Sequence, residues 1–171
     1  KYSEFKDMTE QEQDCLRAFV STLEANKDDD PKYILLKTLL LDEGFAEKGC
    51  IVFSQYYDSA RWVAEKLSLD MKGVTIGLYA GGDKSGILCD GICRKCSREE
   101  IKQNIQRHEI KILIGTDAAS EGLNLQTLGS LINLDLPWNP TRLEQRKGRI
   151  QRIGQVNDKI YIYNMRYKDS V

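Results

Sequence analysis

The chain has 171 residues, of which 41% are hydrophobic and 30% are charged, and its formal net charge is −1. This composition is typical of a globular domain and excludes a collagen-like, disulfide-rich or wholly disordered protein. No run approaches the roughly 20 apolar residues that cross a bilayer, and the chain opens without a signal-like segment. We therefore expect a cytoplasmic protein with no membrane partner.

The first 48 residues predict two helices. Apolar residues at helical spacing predict a helix over residues 9–26, and its apolar positions are Leu16, Phe19, Val20 and Leu23. Asp30 followed by Pro31 is a favourable helix start and predicts a second helix over residues 32–43. We treat residues 1–48 as an N-terminal helical arm or inter-lobe linker, and residues 49–171 as the main domain.

The main domain alternates short apolar runs with helical patterns. Strands are predicted at residues 50–53, 74–79, 111–114, 131–134 and 159–164, and helices at residues 59–67, 97–107 and 141–153. This alternation predicts βαβ units and therefore an α/β fold with a parallel sheet flanked by helices. Ligands of such sheets bind where the strands end, so the residues after each strand are the candidate site.

A basic segment follows the predicted strand at residues 131–134. From Arg142 to Arg152, five basic side chains face one acidic residue, Glu144, which indicates a phosphate-binding site. Gln145, Arg149 and Arg152 are spaced by four and three residues and share one face of a helix. Arginines in this arrangement suit phosphate oxygens. The alternative is an exposed basic helix that pairs with acidic neighbours.

The boundaries of this helix are also predicted. Pro140 fits its first turn, Thr141 and Glu144 form a capping-box pattern, and Gly154 fits its end. Gly148 in the middle costs about 1 kcal/mol relative to alanine, which indicates that another group approaches the backbone there.

The loop after the strand at residues 111–114 reads Gly115-Thr-Asp-Ala-Ala-Ser-Glu-Gly-Leu-Asn-Leu-Gln126. Its small and polar residues let a ligand approach and supply donors for phosphates. Asp117 and Glu121 could accept ribose hydroxyls or orient an arginine. The alternative is a capped strand-to-helix connection without a ligand.

Together, the loop at residues 115–126 and the basic segment resemble motifs V and VI of superfamily 2 helicases. Their sequences are most similar to those of the Snf-type translocases. The motif VI segment is Gln145-Arg-Lys-Gly-Arg-Ile-Gln-Arg-Ile-Gly-Gln155. Asn133-Leu-Asp-Leu-Pro-Trp-Asn-Pro140 resembles the segment that links the two motifs. Ile51-Val-Phe-Ser-Gln55 is similar to motif IV, and Tyr79-Ala-Gly-Gly82 to the following strand end. The resemblance covers residues 49–164.

The resemblance implies a RecA-like fold, with ATP bound between two such lobes. It implies that Arg149 and Arg152 are the catalytic arginine fingers. The implied nucleotide-binding residues are Gln145, Asp117, Glu121 and Gly122. The implied contacts to the DNA backbone are Ser54, Gln55, Gly81, Thr116 and Asn124.

The elements that cradle phosphates and magnesium are not in this sequence. It has no Gly-x4-Gly-Lys-[Ser/Thr] motif and no acidic metal-holding strand of that family. We therefore expect a fragment, with ATP and Mg²⁺ held mainly by an N-terminal RecA-like lobe of the same chain, and no activity from the fragment alone. The expected partner is DNA, as a duplex. The alternatives are an RNA-directed helicase lobe and a non-catalytic RecA-like module that binds nucleic acid or protein.

Three cysteines, Cys89, Cys93 and Cys96, form a cluster in the middle of the chain. Cys93 and Cys96 have half the spacing of a zinc knuckle, and Cys89 is a candidate third ligand. The single histidine, His108, lies beyond a predicted helix, and a closed structural site needs four ligands. We therefore expect reduced cysteines in an exposed loop, with zinc as the alternative.

Overall fold

The computed structural model describes residues 2–26, 30–117, 123 and 125–167, with the backbone alone described for residues 2–8. The chain divides into two compact units, Lys1–Leu35 and Leu36–Val171. The expected boundary between residues 48 and 49 stays a prediction.

The smaller unit consists of helix α1 (Tyr2–Ala25) and the start of helix α2 (Pro31–Leu41). The apolar positions of α1 that the sequence singled out each remain at least half exposed; they are Leu16, Phe19, Val20 and Leu23. The backbone N–H of Tyr33 donates to Asp30 Oδ1 at 2.8 Å, which confirms that Asp30 caps α2 and that Pro31 lies in its first turn.

The larger unit holds four further helices and seven strands. The helices are α3 (Phe45–Lys48), α4 (Tyr57–Asp70), α5 (Arg98–Gln106) and α6 (Pro140–Ile150). The strands are β1 (Cys50–Ser54), β2 (Ile76–Tyr79), β3 (Gly86–Cys89), β4 (Ile92–Lys95), β5 (Ile112–Thr116), β6 (Ser130–Asn133) and β7 (Tyr161–Asn164). All five predicted strands are confirmed.

The strands form one sheet in the order β4-β3-β2-β5-β1-β6-β7. Five strands, β2, β5, β1, β6 and β7, pair in parallel, which confirms the expected α/β, RecA-like architecture. Every residue of β1, β2, β5 and β6 is buried. Parallel strands covered on both faces are apolar throughout, which is why the sequence showed continuous apolar runs there.

The hairpin of β3 and β4 was not predicted. β3 runs antiparallel to β2, and β4 pairs with β3 to form the edge of the sheet. Its two-residue turn, Asp90 and Gly91, has φ angles of 50° and 80°. An Asp-Gly pair between two strands is a strong hairpin signal, but the exposed residues of β4 do not form the apolar run that would accompany it. The region between residues 82 and 97 therefore contains a β-hairpin and not the expected loop.

Helix α5 starts as predicted. Ser97 Oγ accepts a hydrogen bond from the backbone N–H of Glu100 at 3.1 Å. The Glu100 carboxylate does not return the bond that a full capping box requires, because it accepts from Arg94 Nη2 of the hairpin at 2.6 Å. The ion pair between Arg94 and Glu100 therefore holds β4 against α5.

The hydrophobic core on one face of the sheet joins α5 and α6 to the strands. Ile51 and Phe53 of β1 pack in the same cluster as Ile101 of α5 and Ile150 of α6. Residues alternate between faces along a strand, so Cys50 and Val52 point to the opposite face, and helix α4 also packs against β1. Among the described helices, none combines the length and the apolar character that a bilayer span requires.

The carboxyl ends of the parallel strands meet at one edge, which we call the carboxyl edge. Ser54 is level with Thr116, Phe53 with Asn133, and Tyr79 with Gly115. The register therefore brings the residues after β1, β2, β5 and β6 together, as expected for a ligand site of such a sheet.

We predict that Gly49→Ala destabilises the domain by about 2–4 kcal/mol, because it combines a backbone cost with overpacking. Gly49 has φ +78°, and an added Cβ would lie 2.8 Å from Leu128 Cδ2. Gly73→Ala is the control: its φ is +72°, but no described atom lies within 4 Å of the added Cβ, so its cost is about 1 kcal/mol. Urea denaturation measures both, and equal losses would contradict the packing argument.

Candidate functional site

The centre of the carboxyl edge is a buried arginine, Arg146 of α6, which is 1% exposed. Its Nε donates to Asp117 Oδ1 at 2.6 Å and its Nη2 to Asp117 Oδ2 at 2.8 Å. Its Nη1 donates to Asn133 Oδ1 at 2.8 Å and to the backbone carbonyl of Asp135 at 3.0 Å. The guanidinium is therefore held by a bidentate carboxylate and two further acceptors.

Asp135 extends these contacts to β1. Its Oδ2 accepts from Ser54 Oγ at 2.6 Å, and its Oδ1 accepts from the backbone N–H of Gln55 at 2.9 Å. Its Oδ1 also lies 3.6 Å from Arg146 Nη2. We call the set the Arg146 network; its members are Ser54, Gln55, Asp117, Asn133, Asp135 and Arg146.

Two more contacts fix the arginine. The Phe53 ring centre lies 5.2 Å from the Arg146 guanidinium, a cation–π distance. Asn133 Nδ2 donates to Asn164 Oδ1 at 2.7 Å, so the network also reaches the end of β7. One side chain of α6 thus connects the ends of four neighbouring strands, β5, β1, β6 and β7.

Helix α6 is placed by its first turn and by its apolar face. Asn139 Oδ1 accepts from the backbone N–H of Thr141 at 2.9 Å, and Pro140 opens the helix. The predicted capping box of Thr141 and Glu144 is wrong, because the Glu144 carboxylate accepts from Lys147 instead. Arg146 precedes the fully buried Ile150 by four residues, so the helix directs both to the sheet.

The helix is shorter than predicted, and this changes the expected arginine face. It ends at Ile150, and the backbone N–H of Arg152 bonds to the Ile150 carbonyl at 3.2 Å in a tight turn. Gln145 and Arg149 share a helical face, with Gln145 exposed. Arg152 lies outside the helix and is exposed, so the prediction that all three share one helical face is wrong.

Arg149 differs from the other surface arginines of this segment. Its Nε is buried and has no hydrogen-bond partner within the described part of the chain. A buried donor without a partner is costly, and residues 118–122 and 124, next to the Leu125 whose backbone N–H donates to the Arg149 carbonyl, lie outside the described residues. Gly148, beside it, is exposed, and no described atom lies within 4 Å of an added Cβ. The predicted close approach to this glycine is therefore not made within the described chain.

The structure brings several predicted site residues to the carboxyl edge. Gln55 and Gly81 are partly exposed there, whereas Ser54 and Thr116 are buried. The Ser54 hydroxyl donates to Asp135 and accepts from the backbone N–H of Tyr56, so in this structure it holds the network and is not free for a phosphate. The remaining predicted residues, Glu121, Gly122 and Asn124, lie outside the described residues.

Asp117 has one of the two roles that the sequence left open, contact with a nucleotide or with an arginine. Both carboxylate oxygens accept from Arg146, and Oδ2 lies 3.8 Å from Arg142 Nη1 as well. In this structure Asp117 therefore binds an arginine.

Sequence reasoning missed Arg146, Asp135 and Trp138. The four-residue spacing between Arg146 and the apolar Ile150 predicts that both lie on the buried face of the helix. The many charged residues around Arg146 favoured an exposed position instead. Trp138 is 97% exposed in the connection between β6 and α6, at the carboxyl edge. A fully exposed tryptophan contributes nothing to the core and is a candidate contact for a partner.

The cysteine cluster is not assembled into a metal site. Cys93 pairs with Leu88 and Cys89 with Ile92, so Cys89 and Cys93 point to opposite faces of the hairpin. Burial and then the Glu100 carboxylate raise the pKa of the Cys96 thiol, which disfavours the thiolate that a metal needs. Among the residues that the structure describes, no three His, Cys, Asp or Glu side chains are grouped to hold an ion.

A family model described as the helicase conserved C-terminal domain matches residues 21–154, well over half of the chain. The chain belongs to this family. The Arg146 helix and the carboxyl edge are thus parts of a superfamily 2 helicase C-terminal domain.

Curated relatives agree with this family. The chain is 39% identical over 121 residues to the uncharacterized ATP-dependent helicase YqhH of Bacillus subtilis (strain 168), which is 71% of this chain and 19% of that protein. It is 48% identical over 48 residues to the RNA polymerase-associated protein RapA of Erwinia tasmaniensis, covering 28% of this chain and 5% of RapA. The chain thus spans under a fifth of either relative's length.

Solved structures share the fold. The C-terminal part of the Fun30 ATPase domain has a TM-score of 0.61 at 24% identity, covering 81% of this chain and 40% of that one. S. cerevisiae Dbp5 bound to RNA and ADP BeF3 has a TM-score of 0.59 at 22% identity, covering 80% of this chain and 32% of that one. At these identities the likeness shows the fold alone.

We predict that Arg146→Ala destabilises the domain by about 3–5 kcal/mol, because it leaves a cavity and deprives the Asp117 carboxylate, only 15% exposed, of its main partner. Arg142→Ala is the matched control. Arg142 faces the same carboxylate at 3.8 Å but is 54% exposed, so we expect a loss below about 1 kcal/mol. Urea denaturation followed by circular dichroism compares the two variants. An Arg146 variant as stable as the Arg142 variant would contradict the network's structural role.

Proposed function

We propose that this domain is the second motor lobe of an ATP-dependent DNA translocase of the Snf type. In this proposal a first RecA-like lobe holds ATP and Mg²⁺, and this lobe supplies Arg149 and Arg152 to the nucleotide. The observation that carries the proposal is that Arg149 is partly exposed on the helical face that it shares with the exposed Gln145, within the part of the chain that the family model matches. Its guanidinium can donate to the phosphate oxygens of a nucleotide held opposite.

The chemistry required of this lobe is electrostatic. The bound nucleotide supplies the phosphoryl group, with its charge spread over phosphate oxygens in the transition state. Arg149 donates to those oxygens, and its planar guanidinium suits them better than an ammonium group would. Gln145 lies one helical turn before Arg149 and is exposed, so it is placed to contact the same ligand. Arg152, in the turn after α6, is the second arginine that approaches these phosphate oxygens.

The Arg146 network has a separate task in this proposal. It holds α6 against the strand ends through Asp117 and Asp135, so that Arg149 does not move when charge develops on the nucleotide. A preorganised donor of this kind stabilises charge without reorganisation at the moment of reaction. The magnesium ligands belong to the first lobe in this proposal, because this lobe's described carboxylates at the site, Asp117 and Asp135, are engaged by Arg146.

Nucleic acid is proposed to cross the carboxyl edge. Gln55 and Gly81 are the partly exposed predicted contacts there, and Trp138 adds an exposed aromatic ring at the same edge. Backbone donors and small residues at strand ends suit phosphate contacts that do not depend on sequence. The proposed substrate is duplex DNA, by resemblance to the Snf-type motifs.

We predict that Arg149→Ala lowers the nucleic-acid-stimulated rate of ATP hydrolysis by about 10³-fold in the protein that joins this lobe to a first lobe. Fluorescent nucleotide binding and thermal unfolding report separately on the first lobe and on folding, and we expect both to change little. Arg107→Ala, at the end of α5, is the matched control, because Arg107 is exposed and lies at the opposite edge of the sheet.

The same assay separates the alternatives when run with duplex DNA, single-stranded DNA and RNA. Normal rates for both Arg149→Ala and Arg152→Ala would overturn the arginine assignment and favour a non-catalytic module. Strongest stimulation by RNA would replace the DNA substrate with an RNA one.

A further inference from the structure

The β3–β4 hairpin adds a surface next to the carboxyl edge that the proposed function does not use. β4 runs parallel to β2, because both pair antiparallel with β3. The end of β4 therefore lies at the same edge as the end of β2. The turn between β2 and β3, which holds Asp83 and Lys84, lies there too.

Two adjoining hollows mark this surface. One, of about 450 Å³, lies between α4 and the hairpin and is lined by Tyr57, Lys84, Cys93 and Lys95 among others. The other, of about 440 Å³, lies between the hairpin and the start of α5 and includes Lys95 and Arg98. Asp83 and Lys95 line both hollows, so the two adjoin, and we call them together the hairpin groove.

The hairpin groove carries an excess of positive charge. Among the described residues, Lys84, Lys95 and Arg98 have no carboxylate within 4.0 Å. Arg61 also lines the groove but is bound by Glu65 at 2.7 Å, so the two cancel. Asp83 is then the one acidic side chain that opposes the three cations within the lining.

Aromatic rings hold two of these cations in place. Lys84 Nζ lies 4.6 Å from the Tyr57 ring centre, and the Arg98 guanidinium lies 5.9 Å from the Tyr79 ring centre. Cation–π contacts position a charge without neutralising it, so both cations stay available for an anion. The whole chain has a net charge of −1, so this excess is local and not a reflection of an overall basic protein.

We propose that the hairpin groove binds the phosphate backbone of the nucleic acid that crosses the carboxyl edge. The inference rests on the proposed function, because it extends that nucleic-acid path beyond β2 to the edge of the sheet. Three unpaired cations on a concave surface match the regular negative charge of a duplex, and flexible lysines tolerate any sequence. Lys84, Lys95 and Arg98 are the residues that contact phosphates.

The first test compares two charge reversals in the 171-residue chain, with binding to a fluorescein-labelled DNA duplex measured by anisotropy over a range of salt concentrations. We expect the Lys84→Glu/Lys95→Glu double variant to raise the dissociation constant by about tenfold or more. It should also reduce the magnitude of the slope of the logarithm of the association constant against the logarithm of salt concentration by about 2, one for each lost phosphate contact.

Lys72→Glu is the matched control. Lys72 is exposed in the connection between α4 and β2, at the opposite edge of the sheet, and we expect it to bind as the wild type does. Circular dichroism melting confirms that all variants fold. If the double variant binds as tightly as Lys72→Glu, with an unchanged salt slope, the proposal is overturned.

Cys93 provides a second readout that needs no substitution. Its thiol is exposed and lines the groove, whereas Cys89 points to the other face of the same hairpin. We expect duplex DNA to slow maleimide labelling of Cys93 severalfold and to leave labelling of Cys89 unchanged, as measured by peptide mass spectrometry. Equal rates with and without DNA at Cys93 would contradict the groove.

The outcomes separate this inference from the proposed function. A wild-type chain that binds no nucleic acid overturns the groove, whereas the proposed function is decided by ATP hydrolysis in the two-lobe protein. A wild-type chain that binds DNA while the double variant binds equally well overturns the groove alone. If poly-glutamate at equal charge displaces the duplex as well as unlabelled DNA does, the groove fits acidic protein segments and the nucleic-acid assignment is wrong.

Discussion

The rest of the site depends on one constraint, the burial of the Arg146 guanidinium. A buried cation is tolerated only when acceptors surround it, and Arg146 meets this requirement with Asp117, Asn133 and the Asp135 carbonyl. These acceptors belong to the ends of different strands, so the pairing fixes the strand ends and α6 relative to one another. The Asp135 carboxylate then fixes the end of β1 through Ser54 and Gln55.

This constraint divides the arginines of one helix between two tasks. Arg146 faces the sheet, and Arg149, three residues later, has a buried Nε without a partner in the described chain. Since Gly148 leaves open space beside it, a ligand from outside can approach the helix there. The helix is held by one arginine and, in the function we propose, offers the next to a nucleotide. The hairpin groove would extend the contact surface along the same edge.

The sequence predicts an element well when local residue patterns determine it, and poorly when contacts between distant segments do. The five parallel strands were predictable because strands buried on both faces are apolar throughout. The hairpin was missed although Asp90-Gly91 marks it, since the strand of β4 is exposed and its residues are polar or cysteine. Arg146 was missed because a charged run indicates a surface, and its burial depends on acceptors from two distant segments, Asp117 after β5 and Asn133 and Asp135 at the end of β6. Asn139 and not Thr141 caps α6, and a turn after Ile150 places Arg152 outside the helix; both follow from local hydrogen bonds that the sequence pattern left ambiguous.

In the function we propose, α6 is anchored by Arg146 and presents Arg149 to a nucleotide held by another lobe. The most direct measurement is a crystal structure of the two-lobe protein with ADP–beryllium fluoride. We expect the Arg149 guanidinium to donate to the phosphate mimic while Arg146 still binds Asp117. A closed, nucleotide-bound structure with Arg149 turned away from the phosphates, or with the Arg146–Asp117 pair broken, would contradict it.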